Sequence, residues 1–142
     1  MSENGWRSAH LSEIKPYEVE GEDLQGWLPV RERLGVSAFG VNAWVGANPG
    51  DQVIEEHDEL CDDDTGDHQE LYLVVDGHAT FTVDGEELDA PRGTLVFVED
   101  PTIVRKAIAR EAGTTVLAIG AGPDVAFSVS PWEQRYRERS AV

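Results

Sequence analysis

ELYLVVDGHATFTVDGEEL, spanning Glu70 to Leu88, reads as strand, turn, strand, turn and strand. Residues 71–75 and 79–83 are rich in the β-branched and aromatic types that suit a pleated, half-buried surface. Asp76-Gly77 between them tolerates positive φ and predicts a tight hairpin turn. Asp84-Gly85 repeats the signal, and residues 86–90 predict a further short strand.

Working outward, the same punctuation recurs. Residues 36–45 predict a strand stopped by Gly46-Ala47-Asn48-Pro49-Gly50. Residues 52–59 alternate, with Val53, Glu55, His57 and Glu59 on one face and Ile54, Glu56 and Asp58 on the other. Beyond Pro91-Arg92-Gly93, strands are predicted at residues 94–98, 103–109, 114–119 and 125–129. This spacing belongs to all-β sandwiches and barrels. Only residues 131–139 predict a helix, with Ser130 as cap, Pro131 in the first turn and Glu133 at the third position. The expected organisation is an N-terminal extension (residues 1–35), a β-barrel (36–130) and a short C-terminal helix and tail (131–142). Trp6, Trp27, Leu24, Leu28, Val30 and Leu34 stand among polar residues of the extension, which predicts that it packs on the barrel or on a second subunit.

At 142 residues the chain suits one domain with a single core. Its formal net charge of −17 argues against nucleic acid and anionic lipid as partners, because each phosphate meets a repelling field. No run of about 18 apolar residues predicts a membrane span. The start is acidic and polar, unlike a secretory signal. Cys61 is the one cysteine, so no intrachain disulfide can form. A cytoplasmic location is the expectation.

The residues just described resemble the cupin superfamily, specifically its small single-domain members, from residue 36 to about residue 120. Gly50, His57, Glu70 and Gly77 fall on the markers of the first cupin motif, with Gly77 seven positions after the glutamate. GTLVFVEDPTIVRKAI, from Gly93 to Ile108, takes the place of the second motif, with Gly93 and Pro101 as markers. The resemblance implies an all-β jelly-roll barrel, the double-stranded β-helix, and a homodimer that buries outer apolar positions such as Ile54 and Leu71. It also implies a divalent metal held by two motif-one histidines, a glutamate and a motif-two histidine. Here Glu59 stands in the second histidine's place, residues 60–69 form an inserted loop, and the motif-two position falls on Arg105 or Lys106.

Two readings follow. One imidazole and two carboxylates, His57, Glu59 and Glu70, make a first shell for Fe(II), Mn(II) or Zn(II), with His68 in reserve. An enzyme of the dioxygenase, isomerase or lyase type would use that metal, with Arg105 orienting an anionic substrate. Alternatively Glu70 pairs with Arg105, no cofactor is held, and the barrel mouth binds a small molecule with Arg105, Tyr72 and Phe81 in its wall. His78 beside its turn and His10 in the extension are weaker candidates. Asp62-Asp63-Asp64 lacks the spaced ligands of a calcium loop, and Cys61 has no neighbouring cation to activate it.

Overall fold

The computed structural model describes residues 4–16, 26–60, 67–123 and 125–140, with side chains to residue 136. Two antiparallel sheets face each other. The strands are β1 (Trp27–Leu28), β2 (Gly40–Gly46), β3 (Gln52–His57), β4 (Gln69–Asp76), β5 (His78–Val83), β6 (Glu86–Pro91), β7 (Leu95–Val98), β8 (Arg105–Ala109) and β9 (Thr114–Ala121). One sheet runs β1-β2-β9-β4-β7 and the other β3-β8-β5-β6. A short helix α1 (Val30–Leu34) follows β1, and α2 (Pro131–Ser140) ends the chain. Among the described residues no helix is long and apolar enough to cross a membrane.

Alternation along the strands builds the core. Tyr72 and Val74 of β4, Ala79 and Phe81 of β5, Ala107 and Ala109 of β8, and Val116 and Ala118 of β9 point between the sheets and form one cluster. Many of these are alanines, and the space they leave is filled by Tyr72 and Phe81, whose ring centroids lie 5.5 Å apart.

Asp84-Gly85 is a true two-residue hairpin turn. Both residues have positive φ (52° and 78°) and join Val83 to its partner Glu86. Asp76-Gly77 is not a hairpin, although its chemistry is the same. β4 belongs to one sheet and β5 to the other, so this turn is the corner where the chain crosses between layers. Gly77 has φ 77°, and a Cβ there would stand 2.7 Å from the Cα of Thr114. The corner closes only around glycine.

Three other expectations are corrected. Residues 125–130 join no ladder, and β2 begins only at Gly40. The period-two reading of residues 52–59 fails because β3 pairs with β8 through two register shifts, one on each side of Ile54. Val53 and Ile54 are therefore both buried, and Ile54 lies in the core rather than on an outer surface. In the extension, Trp27 is buried and Leu28 pairs with Ala43, whereas Trp6 is exposed. Leu24, Cys61 and Asp62-Asp63-Asp64 lie outside the described residues.

Leu71 faces outward. Its row runs Phe97, Leu71, Ile119 and Val41, and the next runs Leu95, Leu73, Leu117, Ala43 and Leu28. Val30, Leu34 and Leu11 pack over the β2 and β9 half of these rows. Leu95 and Phe97, on the edge strand β7, stay 63% and 57% exposed.

Candidate functional site

The second register shift in β3 delivers His57 to the end of its strand, directly across from Arg105, the first residue of β8. The chain then turns, and the Glu59 amide donates to the carbonyl of Pro101 at 2.9 Å. That anchor holds the Glu59 side chain over the same end of the barrel. Glu70 comes from the other sheet, beside Gly120 of β9.

These elements bring His57, Glu59 and Glu70 together, with one ligand atom from each inside a 4.8 Å group. His57 Nε2 lies 2.9 Å from Glu59 Oε1 and 3.5 Å from Glu70 Oε1. Its Nδ1–H donates to the carbonyl of Glu55 at 2.6 Å. Each ring nitrogen thus faces an acceptor. Burial disfavours the charged imidazolium, but the two carboxylates outweigh it and push the His57 pKa up to about 10. Burial also works against ionising Glu70, yet the bonds from His57 and Tyr72, and then the charges of His57 and Arg105, hold its carboxyl below the ordinary range. Tyr72 donates its hydroxyl to Glu70. Burial, and next the Glu70 charge, drive the phenol pKa upward, so Tyr72 remains a neutral donor.

Arg105 is wholly buried, with Nη1 3.5 Å from Glu70 Oε1 and 3.8 Å from Glu59 Oε1. None of its guanidinium nitrogens makes a hydrogen bond within the described residues. It is not among the residues that line the cavity and lies against the two carboxylates that do. Phe81 is also absent from the wall, because it lies fully buried beneath Tyr72. His68 is buried at the mouth, 3.7 Å from Glu59 and beside the ring of Phe127 at 5.9 Å. His78 lies apart and pairs with Asp89 at 2.6 Å, and His10 caps an exposed turn through Ser12.

The ion cluster forms one wall of a cavity of about 750 Å³, within the range of small-molecule pockets. Gly40, Ala118 and Gly120 line it with little side chain and so keep it open. Trp44, Trp132, Glu133 and Tyr136 also line it. Trp132 packs edge-on against the buried Trp27, with centroids 5.2 Å apart. Glu133 accepts from Arg31 Nε at 2.9 Å, which ties α2 to α1. Sequence reasoning missed this wall. The one local signal was Trp132 and Tyr136 at i, i+4 spacing with Glu133 between them, a shared helix face without an evident partner.

The donor set suits a divalent metal in kind and spacing, and the His57, Glu59 and Glu70 group can hold one. The electrostatics oppose it, since such an ion must displace a proton from His57 and share both carboxylates with Arg105.

The titration has a measurable consequence. His57 is raised above its unfolded value of 6.5, so its contribution is fully present below that pH and is lost as pH rises through about 10. Glu70 is depressed, so its contribution is present above the ordinary carboxylate value and is lost as pH falls below it. Because the His57 side chain is 35% exposed, solvent screening limits its effect to about 1–2 kcal/mol. The urea midpoint should therefore be flat from about pH 5 to 7 and fall toward pH 10. His57→Gln should remove the alkaline fall, and an identical slope in that variant would assign the titration elsewhere.

No protein-family model matches the chain, and no curated protein matches it. Its fold is similar to that of a sugar phosphate isomerase of the cupin superfamily from Silicibacter pomeroyi, at TM-score 0.62 and 18% identity, covering 82% of this chain and 76% of that one. A conserved protein with a double-stranded β-helix domain from Klebsiella pneumoniae matches at TM-score 0.61 and 18% identity, over 92% and 96% of the two chains. A cupin protein from Bacteroides fragilis matches at TM-score 0.53 and 17% identity, over 82% and 93%. Fold and topology together are those of a small cupin-type double-stranded β-helix. The resemblance puts the motif-two histidine position on Arg105 or Lys106, and Arg105 is the one whose side chain lies beside Glu59 and Glu70.

Proposed function

We propose that this cupin domain binds a small molecule at the barrel mouth, beside a polar centre whose charge is balanced by its own side chains. The supporting observation is the buried Arg105 behind the cavity wall, within 4 Å of Glu59 and Glu70, which line it. Two carboxylates are thereby set against a guanidinium and an imidazolium, so the centre needs no metal for neutrality. His57 is placed to give up a proton and Tyr72 to orient Glu70, while the aromatic wall excludes water from a bound ligand.

The spacing of His57, Glu59 and Glu70 favours a second reading, a metal-dependent enzyme of the dioxygenase, isomerase or lyase type using Fe, Mn or Zn. Elemental analysis of untagged protein, after reconstitution with each of these metals, separates the two. The expected result is less than stoichiometric metal. Stoichiometric metal that is lost in both His57→Ala and Glu70→Ala would overturn the first reading in favour of the second.

The apolar rows on the outer face support a homodimer. They carry no charge, whereas most of the surface of a chain at −17 repels a second copy. Leu95 and Phe97, at the open β7 edge, would be covered. Light scattering should give twice the chain mass, and Phe97→Asp should give the monomer. A monomeric parent would sink this arrangement.

A further inference from the structure

We infer that the cavity selects a small organic cation, an ammonium-bearing ligand, in preference to alcohols and anions of the same shape. This rests on the small-molecule reading above and names the class of ligand for that site. Among the described residues, no lysine or arginine lines the cavity, whereas Glu55, Asp58, Glu59, Glu70 and Glu133 do. Two of the nearby guanidinium groups are already committed to carboxylates. Arg105 lies behind Glu59 and Glu70, and Arg31 behind Glu133, with both arginines buried. A phosphate or carboxylate ligand therefore meets a wall of acceptors. Glu55 and Asp58 stand exposed at the rim with no salt bridge among the described residues, and they add local negative charge to the net field of the chain.

Two independent features point to a donor-bearing ligand. Asn42 is 9% exposed and lines the cavity, yet its Oδ1 has no hydrogen-bond partner within the described residues. A buried acceptor of this kind costs stability unless a donor arrives. Gly40, two residues earlier on the same face of β2, stands beside Phe127, and Phe127 packs on the buried His68. His68 Nε2 likewise lacks a partner, so the vacant polar positions fall on one side of the cavity. Further along that face the ring of Trp44, and beside it that of Trp132, line the cavity and are only partly buried. The neighbouring Tyr136 already carries the Arg135 guanidinium, 5.5 Å from its ring centre. Such rings attract cations over their faces. An ammonium supplies donors and positive charge with no acceptor of its own, which matches the unpartnered oxygen of Asn42 and the acidic lining.

Phenethylamine, phenethyl alcohol and phenylacetate share one skeleton and differ in the charge of the terminal group. Calorimetric titration of the intact chain at low salt should give saturable binding of the amine, at least tenfold tighter than the alcohol, with no binding of the carboxylate. The preference should shrink as salt rises. Asn42→Leu should weaken the amine by about tenfold, the loss of one hydrogen bond to a charged group. The near-isosteric Asn42→Asp should tighten it, a gain that a merely unfolded variant cannot give. If the alcohol or the carboxylate binds as well as the amine, the cation preference is wrong while the small-molecule reading survives. If none of the three binds at millimolar concentration, both fall together.

Discussion

Arg105→Met is expected to destabilise the protein by about 3 kcal/mol at neutral pH, the cost of removing one partner from a buried ion cluster. Two opposing effects decide the size. The guanidinium brings donors that make no hydrogen bonds, so its own desolvation is poorly compensated. Against this, its Nη1 lies 3.5 and 3.8 Å from two carboxylates that also share His57. At an effective dielectric constant near 20, each such contact is worth about 4–5 kcal/mol before desolvation. The carboxylates win, because methionine leaves a net negative charge among apolar neighbours. The loss should therefore shrink in acid, as one carboxyl takes a proton, and it should also shrink when Zn(II) or Mn(II) is added. Arg105→His goes further, since the new imidazole stands opposite His57 in the strand pairing and completes a two-histidine, two-carboxylate set. Its metal affinity should exceed that of the parent by at least a hundredfold in a competition titration. Equal affinity in parent and variant would show that Arg105 is no barrier to metal.

How much of this was written in the sequence depends on the range of the interaction concerned. The strand pattern of residues 70–88 was legible because burial alternates with the pleat, which is a local property. Asp76-Gly77 was misjudged because a hairpin and a sheet-to-sheet corner both ask for positive φ, and only the partners of β4 and β5 distinguish them. Ile54 was misplaced for a related reason. A bulge adds a residue without any marker in composition, and every later side chain then changes face. His57, Glu59 and Glu70 were legible as a group from motif spacing, and the second register shift, between Ile54 and His57, set the direction of His57. Arg105 could be identified by position. Its burial behind the carboxylates could not, since that follows from packing between two sheets. The aromatic wall depends on residue 27 meeting residue 132, a contact with no sequence signature in a single chain.

These differences bear on chemistry. A barrel of this kind is a scaffold on which unrelated activities are built, so likeness of fold at 18% identity leaves site and reaction to be argued from the residues themselves. In this chain a guanidinium lies beside the two carboxylates, and residues of α2 line the cavity next to them.

The helix therefore supplies the second large effect. Glu133→Ala should detach α2 from the barrel at a cost of about 3 kcal/mol, because it leaves Arg31 buried without its closest carboxylate. The pair is almost fully sheltered, with side chains 7% and 5% exposed and an Nε to Oε1 distance of 2.9 Å. Arg31 keeps two weaker partners, Glu32 at 3.2 Å and the carbonyl of Val36 at 3.1 Å, which holds the loss at the lower end for a broken buried pair. The damage should stay local. The barrel core lies between the sheets and contains no residue of α2, so far-UV circular dichroism should still report a cooperative barrel transition near the parental temperature. Trp27 and Trp132 should respond first, with a red-shifted emission and a separate, earlier fluorescence transition as their edge-on contact opens. The double variant Arg31→Met, Glu133→Leu should recover most of the loss, since apolar side chains of similar volume can replace a buried ion pair at little cost. A single coincident transition in Glu133→Ala would instead place α2 within the cooperative core and remove any role for it as a separable wall of the cavity.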